Sequence, residues 1–311
     1  KPPRIAIYTP PESEPWDDAV TLALAYAEIP YSTLWDKEVL AGKLYEFDWL
    51  HLHHEDFTGQ YGRFYASFRN ASWYRRQVRI FEKVAASAGF SSVPKHKNYI
   101  AREIKSFVKQ GGFMFAMCAA CDTMDIALAA EGVDIVPAEI DGTPAEANCQ
   151  EKLDFAKTLA FTEFKLEMNP LVYEFSNIDV EAGKYNEFTH PGDFDLFEFS
   201  AKFDRTPTIF TQNHVNRVSG FLGQTTAFRR QTVKDSVIIM GTLAGDDAVK
   251  YLYGRHGKGT FTFYAGHDPG DFAHLVGDPP TNLALCKNSP GYRLILNNIL
   301  FPAAKKKKQK T

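Results

Sequence analysis

The stretch Gly111–Asp125, Gly-Gly-Phe-Met-Phe-Ala-Met-Cys-Ala-Ala-Cys-Asp-Thr-Met-Asp, indicates the fold of this 311-residue chain. The two glycines end a helical segment, and the apolar run 113–117 is long enough for a buried strand but too short for a core helix. Cys118 follows at once, and Asp122 or Thr123 is expected to cap the next helix. A cysteine on such a strand-to-helix turn projects its sulfur from the carboxyl edge of a sheet.

This turn has the arrangement of a nucleophile elbow, although Ala116 and Ala120 stand where the strict pattern has glycine. Amides at the start of a helix, here that of Ala119, favour a thiolate and can hold an oxyanion. Two other interpretations remain open. In the first, Cys118 is a buried structural cysteine, the usual role of a free cysteine. In the second, Cys118 and Cys121 form a C-x-x-C pair typical of thioredoxin-like redox proteins.

The composition indicates a globular protein, with 44% hydrophobic and 23% charged residues. No apolar run approaches the roughly 18 residues of a membrane-spanning helix. The formal net charge is −3, and a cluster of lysines lies in the tail 303–311, which is predicted to be a disordered basic end. The remaining chain is therefore acidic, which disfavours a nucleic-acid partner. Four cysteines are too few for a disulfide scaffold.

Strand and helix patterns alternate through the first part of the chain, which predicts a parallel sheet with right-handed crossovers. Predicted strands occupy 4–9, 31–34, 46–53 and 113–117, and predicted helices occupy 16–27, 73–88 and 99–109. Later strands are predicted at 208–211, 237–243 and 260–265, followed by a closing helix at 291–300. The pattern is lost between about 138 and 205, so that segment is interpreted as an insertion in a single domain of residues 1–302. The expected fold is a flavodoxin-like three-layer α/β sandwich with a mostly parallel sheet.

His267 occupies the same kind of position as Cys118, at the carboxyl end of a predicted strand. In parallel sheets, ligands collect at that edge. A Cys–His pair accounts for both residues, because the imidazole takes the thiol proton and a carboxylate orients the ring. Asp268 and Asp271 are the nearest carboxylates in sequence, and Glu55 is the rival. The alternative is a tight turn that carries a solvated histidine.

The loop His53–Arg63 leaves the predicted strand 46–53 at the same edge and is expected to form one wall of the pocket. His53, His54 and Asp56 are its candidate substrate-binding residues. Arg63 is a further candidate, since a guanidinium can pair with a substrate carboxylate through two hydrogen bonds.

Imidazoles and carboxylates are close together in this part of the sequence, which also suits a zinc or iron site. The candidate ligands are His51, His53, His54, Glu55 and Asp56. Strand alternation puts His51 and His53 on one face and His54 on the other, so His214 or His267 would have to complete such a site. Polar residues that bind substrate are the favoured interpretation, and no cofactor is predicted.

With these residues considered, the chain resembles the class I glutamine amidotransferase-like superfamily, whose members place a cysteine on an elbow and a histidine after a late strand. Its segment 253–268 is similar to ThuA-like proteins. It is also similar over nearly its full length to an exported Bacteroidetes family labelled "asparagine synthetase B". That resemblance rests on residues 49–62, 115–118, 125–134 and 277–281, of which the first and third stretches are long and specific.

The resemblance implies a cysteine-dependent hydrolase or amidotransferase-like enzyme that acts on an amide or ester of a small molecule. A true asparagine synthetase is not expected, because the chain lacks both an N-terminal cysteine and a Ser-Gly-Gly-x-Asp-Ser loop. The alternative is a binding protein for a carbohydrate or peptide on the same fold. The start at Lys1 without Met, together with the resemblance, predicts an exported, periplasmic protein, with a cytoplasmic location as the alternative.

Overall fold

The computed structural model describes residues 3–11, 18–180, 192–197, 207–221, 223, 225–267, 269, 279 and 281–303. In these residues nine strands form one sheet of order β2-β1-β3-β4-β9-β8-β7-β5-β6. The strands are β1 (Ile5–Tyr8), β2 (Ser32–Leu34), β3 (Trp49–Leu52), β4 (Phe113–Met117), β5 (Phe194–Leu196), β6 (Arg217–Val218), β7 (Ile238–Leu243), β8 (Val249–His256) and β9 (Gly259–Tyr264). Trp49–Leu52 and Phe113–Met117 thus lie next to each other near the middle of the sheet.

The sheet is mixed, and the expectation of a mostly parallel, flavodoxin-like sandwich was wrong. Strands β2, β1, β3, β4 and β9 pair in parallel, whereas β9, β8, β7, β5 and β6 pair in antiparallel fashion. Strand β8 was not predicted from the sequence, and the two-residue turn Gly257–Lys258 joins it to β9. So short a turn joins only antiparallel strands, since parallel strands need a long crossover. Gly257 has φ +60°, a conformation that suits glycine in such a turn.

Eight helices accompany these strands in the described residues. They are α1 (Ala19–Tyr26), α2 (Asp36–Leu40), α3 (Tyr65–Phe68), α4 (Ser72–Ser87), α5 (Val93–Gln110), α6 (Ala119–Ala129), α7 (Ala138–Asp141) and α8 (Pro290–Leu300). Residues 208–211 form a short 3-10 helix that begins after Pro207, so the prediction of a strand there was wrong. None of the described helices is long and apolar enough to span a membrane.

The two faces of the sheet each pack against helices, which explains why every residue of β4 is buried. Met114 and Ala116 point to the core that α5 and α6 cover, while Phe115 and Met117 point to the core under α1 and α8. A strand that is covered on both sides reads as a continuous apolar run, as the sequence of β4 does.

The predicted division into one domain with an insertion at about 138–205 stays a prediction. Part of that segment, and residues 304–311 of the predicted tail, lie outside the described residues. What positions the site is the central parallel part of the sheet, where β3, β4 and β9 are neighbours.

Candidate functional site

Cys118 forms a strained turn between β4 and α6. Its backbone has φ 53° and ψ −139°, and α6 begins at the next residue, Ala119. A positive φ is uncommon for a residue with a side chain and is held only where the surroundings enforce it. Here the N–H of Cys118 donates to the carbonyl oxygen of Tyr264 in β9 (2.9 Å). The expected cap at Asp122 or Thr123 was wrong, because the helix begins directly after the cysteine.

His267 follows β9 at the same edge of the sheet, since β9 pairs in parallel with β4 up to Met117 and Tyr264. Gly223 shows how close the cysteine and the histidine are. A side-chain carbon placed on Gly223 would lie 3.1 Å from Cys118 Sγ and 2.8 Å from His267 Nε2. The thiol and the imidazole therefore face one small space, which only a residue without a side chain leaves open.

The loop after β3 reaches this space as well, and β3 pairs in parallel with β4 as the sequence predicts. The ring centroid of His267 lies 5.0 Å from that of His53 and 5.6 Å from that of His54. Thr123 in α6 donates its hydroxyl to the carbonyl oxygen of Glu55 (2.8 Å), which ties the loop to the helix that follows Cys118. We call Cys118, His53, His54 and His267 the cysteine–histidine cluster.

The carboxylates of the loop hold the loop itself. Glu55 Oε2 accepts a hydrogen bond from the backbone N–H of His53 (2.8 Å), and burial raises the pKa of Glu55 to about 7. Asp56 accepts from the N–H of Thr58 (2.7 Å) and from the N–H of Gly62 (2.9 Å). Asp56 therefore shapes the turn, and its expected role in substrate binding stays a prediction.

Arg63 does not line the site, in contrast to the prediction that it pairs with a substrate carboxylate. Its side chain is fully buried. The guanidinium donates to the carbonyl oxygens of Glu167 (2.7 Å) and Glu174 (2.9 and 3.0 Å) and to Gln60 Oε1 (2.9 Å). Arg63 thus joins the loop to the segment at 167–174, and its hydrogen-bonding capacity is used within the protein.

Asp18 is a site residue that the sequence analysis missed. It caps α1 by accepting from the N–H of Val20 (2.7 Å), and the same carboxylate lies 2.6 Å from His51 Nε2 and 3.0 Å from His53 Nδ1. Burial opposes its ionisation, but the two imidazoles outweigh burial and hold the pKa of Asp18 well below its usual value. An aspartate directly before a helix is a common capping signal, but nothing in the sequence shows that two histidines share it.

Lys250 is the second residue that was missed. It lies fully buried in β8, where its Nζ donates to the carbonyl oxygens of Phe221 and Thr226, the latter at 2.7 Å. These carbonyls flank Gly223, so Lys250 anchors the loop that faces the cysteine–histidine cluster. Burial lowers the pKa of Lys250 to about 7. The available signal was a lysine inside the apolar run of residues 248–253.

The contribution of Lys250 to the free energy of unfolding is expected to rise with pH between about 7 and 10. Its pKa lies near 7 in the folded protein and near 10.5 when exposed, so the unfolded chain binds more protons across this window. One such group contributes up to about 1.4 kcal/mol per pH unit. Urea titrations of the wild type and of Lys250→Met at several pH values measure the difference in slope. Curves that run parallel across this window would contradict the prediction.

The remaining predicted residues have these positions. Ala119 is the first residue of α6, and its N–H belongs to the group that has no acceptor within the helix. Asp268 lies outside the described residues.

Cys121, the second cysteine of the C-x-x-C pair, is buried. Its thiol donates to the carbonyl oxygen of Tyr264 (3.4 Å), and burial raises the pKa of Cys121 well above the usual value. The thioredoxin-like interpretation stays a prediction.

Comparison with known proteins gives no family for the chain. No family model and no curated protein match it. Solved structures similar to it include two cytoplasmic proteins of Salmonella typhimurium. The first is 10% identical with a TM-score of 0.46, covering 96% of this chain and 98% of that one. The second is 13% identical with a TM-score of 0.44, covering 97% of this chain and 100% of that one. A protein of Thermoplasma acidophilum described as a putative GMP synthase subunit is 7% identical with a TM-score of 0.42, covering 97% of this chain and 96% of that one. At these identities and TM-scores, none of the three carries an argument about function.

Proposed function

We propose that the protein is a cysteine-dependent hydrolase or amidotransferase-like enzyme that acts on an amide or ester of a small molecule. The observation that supports this best is the backbone of Cys118, held at φ 53° at the start of α6 with His267 facing the same space. Strain of this kind costs about 1–3 kcal/mol and is concentrated at functional sites. A structural cysteine needs no such strained turn, because a turn with relaxed backbone angles would bury the sulfur equally well.

The chemistry follows from the positions of the groups. His267 takes the proton of the Cys118 thiol, and the sulfur attacks the carbonyl carbon of the substrate. The negative charge on the carbonyl oxygen is met by N–H groups at the start of α6, including that of Ala119. The protonated imidazole then gives its proton to the leaving amine or alcohol, which leaves a thioester on Cys118. Water, deprotonated by His267, hydrolyses that thioester and restores the thiol.

The third group of the mechanism orients the ring of His267, and we propose Asp268 or Glu55 for this role, as the sequence suggests. The carboxylate of Glu55 accepts a hydrogen bond from the backbone N–H of His53, so Glu55 is linked to the cysteine–histidine cluster through the loop that carries His53. His53 and His54 lie beside the ring of His267 and form the wall of the pocket on that side. His54 is exposed to solvent, which suits a residue that meets a substrate on entry.

The rate of alkylation at each cysteine tests the proposal without knowledge of the substrate. With iodoacetamide at mildly acidic pH, Cys118 is expected to react far faster than Cys149 or Cys286, because an activated thiolate is the reactive form. Cys286 is a stringent comparison, since it is partly exposed whereas Cys118 is 1% exposed. Peptide mass spectrometry over time gives the three rates, and His267→Ala should slow only the reaction of Cys118.

Equal, slow rates at the three cysteines would contradict an activated Cys118. They would favour the binding protein on the same fold, which is the competing function.

A further inference from the structure

Three imidazoles meet at the cysteine–histidine cluster, and they come from two different strand ends. His53 and His54 follow β3, and His267 follows β9. One nitrogen from each ring lies within 4.8 Å of the others. In a tetrahedral zinc site, bonds of about 2.0–2.1 Å place ligand nitrogens roughly 3.4 Å apart. The three nitrogens therefore lie within about 1.4 Å of the spacing that a single zinc ion requires.

The ring of His53 is buried and lies beside a carboxylate, as the ring of a metal-ligating histidine often does. Its Nδ1 is 3.0 Å from Asp18 Oδ1. His53 is only 7% exposed, and within the described part of the chain neither of its ring nitrogens has a hydrogen-bond partner. A buried ring nitrogen that carries a lone pair and no partner is costly unless it binds something.

The same geometry disfavours two of the other candidate ligands from the sequence, His51 and Asp56. His51 Nε2 is 2.6 Å from Asp18 and its Nδ1 is 3.0 Å from the carbonyl oxygen of Phe115, so both nitrogens are occupied. Asp56 uses its oxygens within its own loop. Among the residues that the structure describes, the three clustered imidazoles are brought together by geometry, and the sulfur of Cys118 lies beside His267.

We infer that His53, His54 and His267 bind a divalent transition metal of the zinc type, with Cys118 Sγ adjacent to the open fourth position. Nitrogen and sulfur donors suit Zn²⁺ and disfavour Mg²⁺ and Ca²⁺. When the metal is bound, His267 cannot act as the base and the Cys118 thiol is shielded. The metal therefore acts as a reversible inhibitor. This inhibitory role rests on the proposed function, whereas the binding of metal does not.

Calorimetric titration of the chelator-treated protein with ZnSO₄ tests the site. One equivalent is expected to bind, and His54→Ala and His267→Ala are each expected to weaken binding by about 10-fold or more. His54 is exposed, so its replacement leaves the core unchanged. His214→Ala is the matched control, because His214 is also an exposed histidine and should have no effect. The proposal is refuted if the wild type binds no zinc, or if the two cluster variants bind it as the wild type does.

Alkylation of Cys118 in the presence of ZnSO₄ separates the metal site from the proposed enzyme. Zinc is expected to protect Cys118 in the wild type and to lose this effect in His54→Ala. Zinc binding without protection would refute the inhibitory role while leaving the thiol chemistry intact. A slow Cys118 in metal-free protein that still binds zinc would refute the proposed function and leave the metal site standing. Titration with Co²⁺ adds a direct readout, because a thiolate-to-cobalt absorption band appears only if Cys118 joins the ion.

Discussion

Cys118→Ala is expected to abolish hydrolysis, with a fall in kcat of about 10³-fold or more. Loss of the nucleophile removes the covalent step, and only binding and oxyanion stabilisation remain to lower the barrier. The measurement is the initial rate on small amides and esters, glutamine and p-nitrophenyl acetate among them, for whichever compound the wild type cleaves. Removal of the sulfur leaves the fold intact, which circular dichroism can verify.

Cys149→Ala is the matched control for this result. Cys149 is also a buried, free cysteine, and it lies outside the cysteine–histidine cluster. The Cys149→Ala variant should therefore hydrolyse the substrate at the wild-type rate. Activity that survives in Cys118→Ala, or that falls equally in both variants, would place the reaction at some other group.

Asp125→Ala is expected to lower the free energy of unfolding by about 3–5 kcal/mol, the largest effect on stability that we expect. Asp125 is fully buried in α6, and its carboxylate accepts from the N–H groups of Leu159 (2.7 Å), Ala160 (2.6 Å) and Phe161 (2.7 Å). Alanine leaves three donors without a partner in the interior. Urea unfolding monitored by tryptophan fluorescence measures the change.

The contribution of Asp125 to the free energy of unfolding is expected to depend on pH. Burial raises the pKa of Asp125 to about 6, above its ordinary value of 3.8, so between these values the folded protein binds the proton more tightly. The contribution of Asp125 to stability is therefore greatest at low pH and falls as the pH rises through about 6. Asp235→Ala, at an exposed aspartate, should change stability little. Equal losses in the two variants, or none in Asp125→Ala, would show that the three hydrogen bonds do not anchor the segment.

Much of the central sheet could be predicted from sequence because its signals are local. The run 113–117 is apolar without interruption, and a strand buried on both faces requires just that. The glycines before it and the cysteine after it mark the strand ends, so the sequence also placed Cys118 and His267 at strand exits. Parallel pairing then brings such exits to one edge, and β3 and β9 do flank β4 there.

The mixed sheet could not be predicted as readily, because the direction of a strand depends on its connection. The turn Gly257–Lys258 makes β8 and β9 a hairpin, and the strand that was not predicted changed the class of the whole sheet.

The partners of the Arg63 side chain could not be predicted from the sequence either. A loop arginine is ambiguous in sequence, and only the fold brings the carbonyl oxygens of Glu167 and Glu174, more than 100 positions away, to its guanidinium.

The sequence by itself determined which residues stand at the carboxyl ends of the central strands, since hydrophobic runs and the residues that break them are encoded locally. Only the tertiary structure decided which of those residues meet. It paired Asp18 with His51 and His53, set Lys250 under the loop of Gly223, and turned three imidazoles toward one another beside Cys118. The physical reason is that each of these contacts joins groups distant in sequence, whose burial is tolerable only when the whole fold supplies their partners.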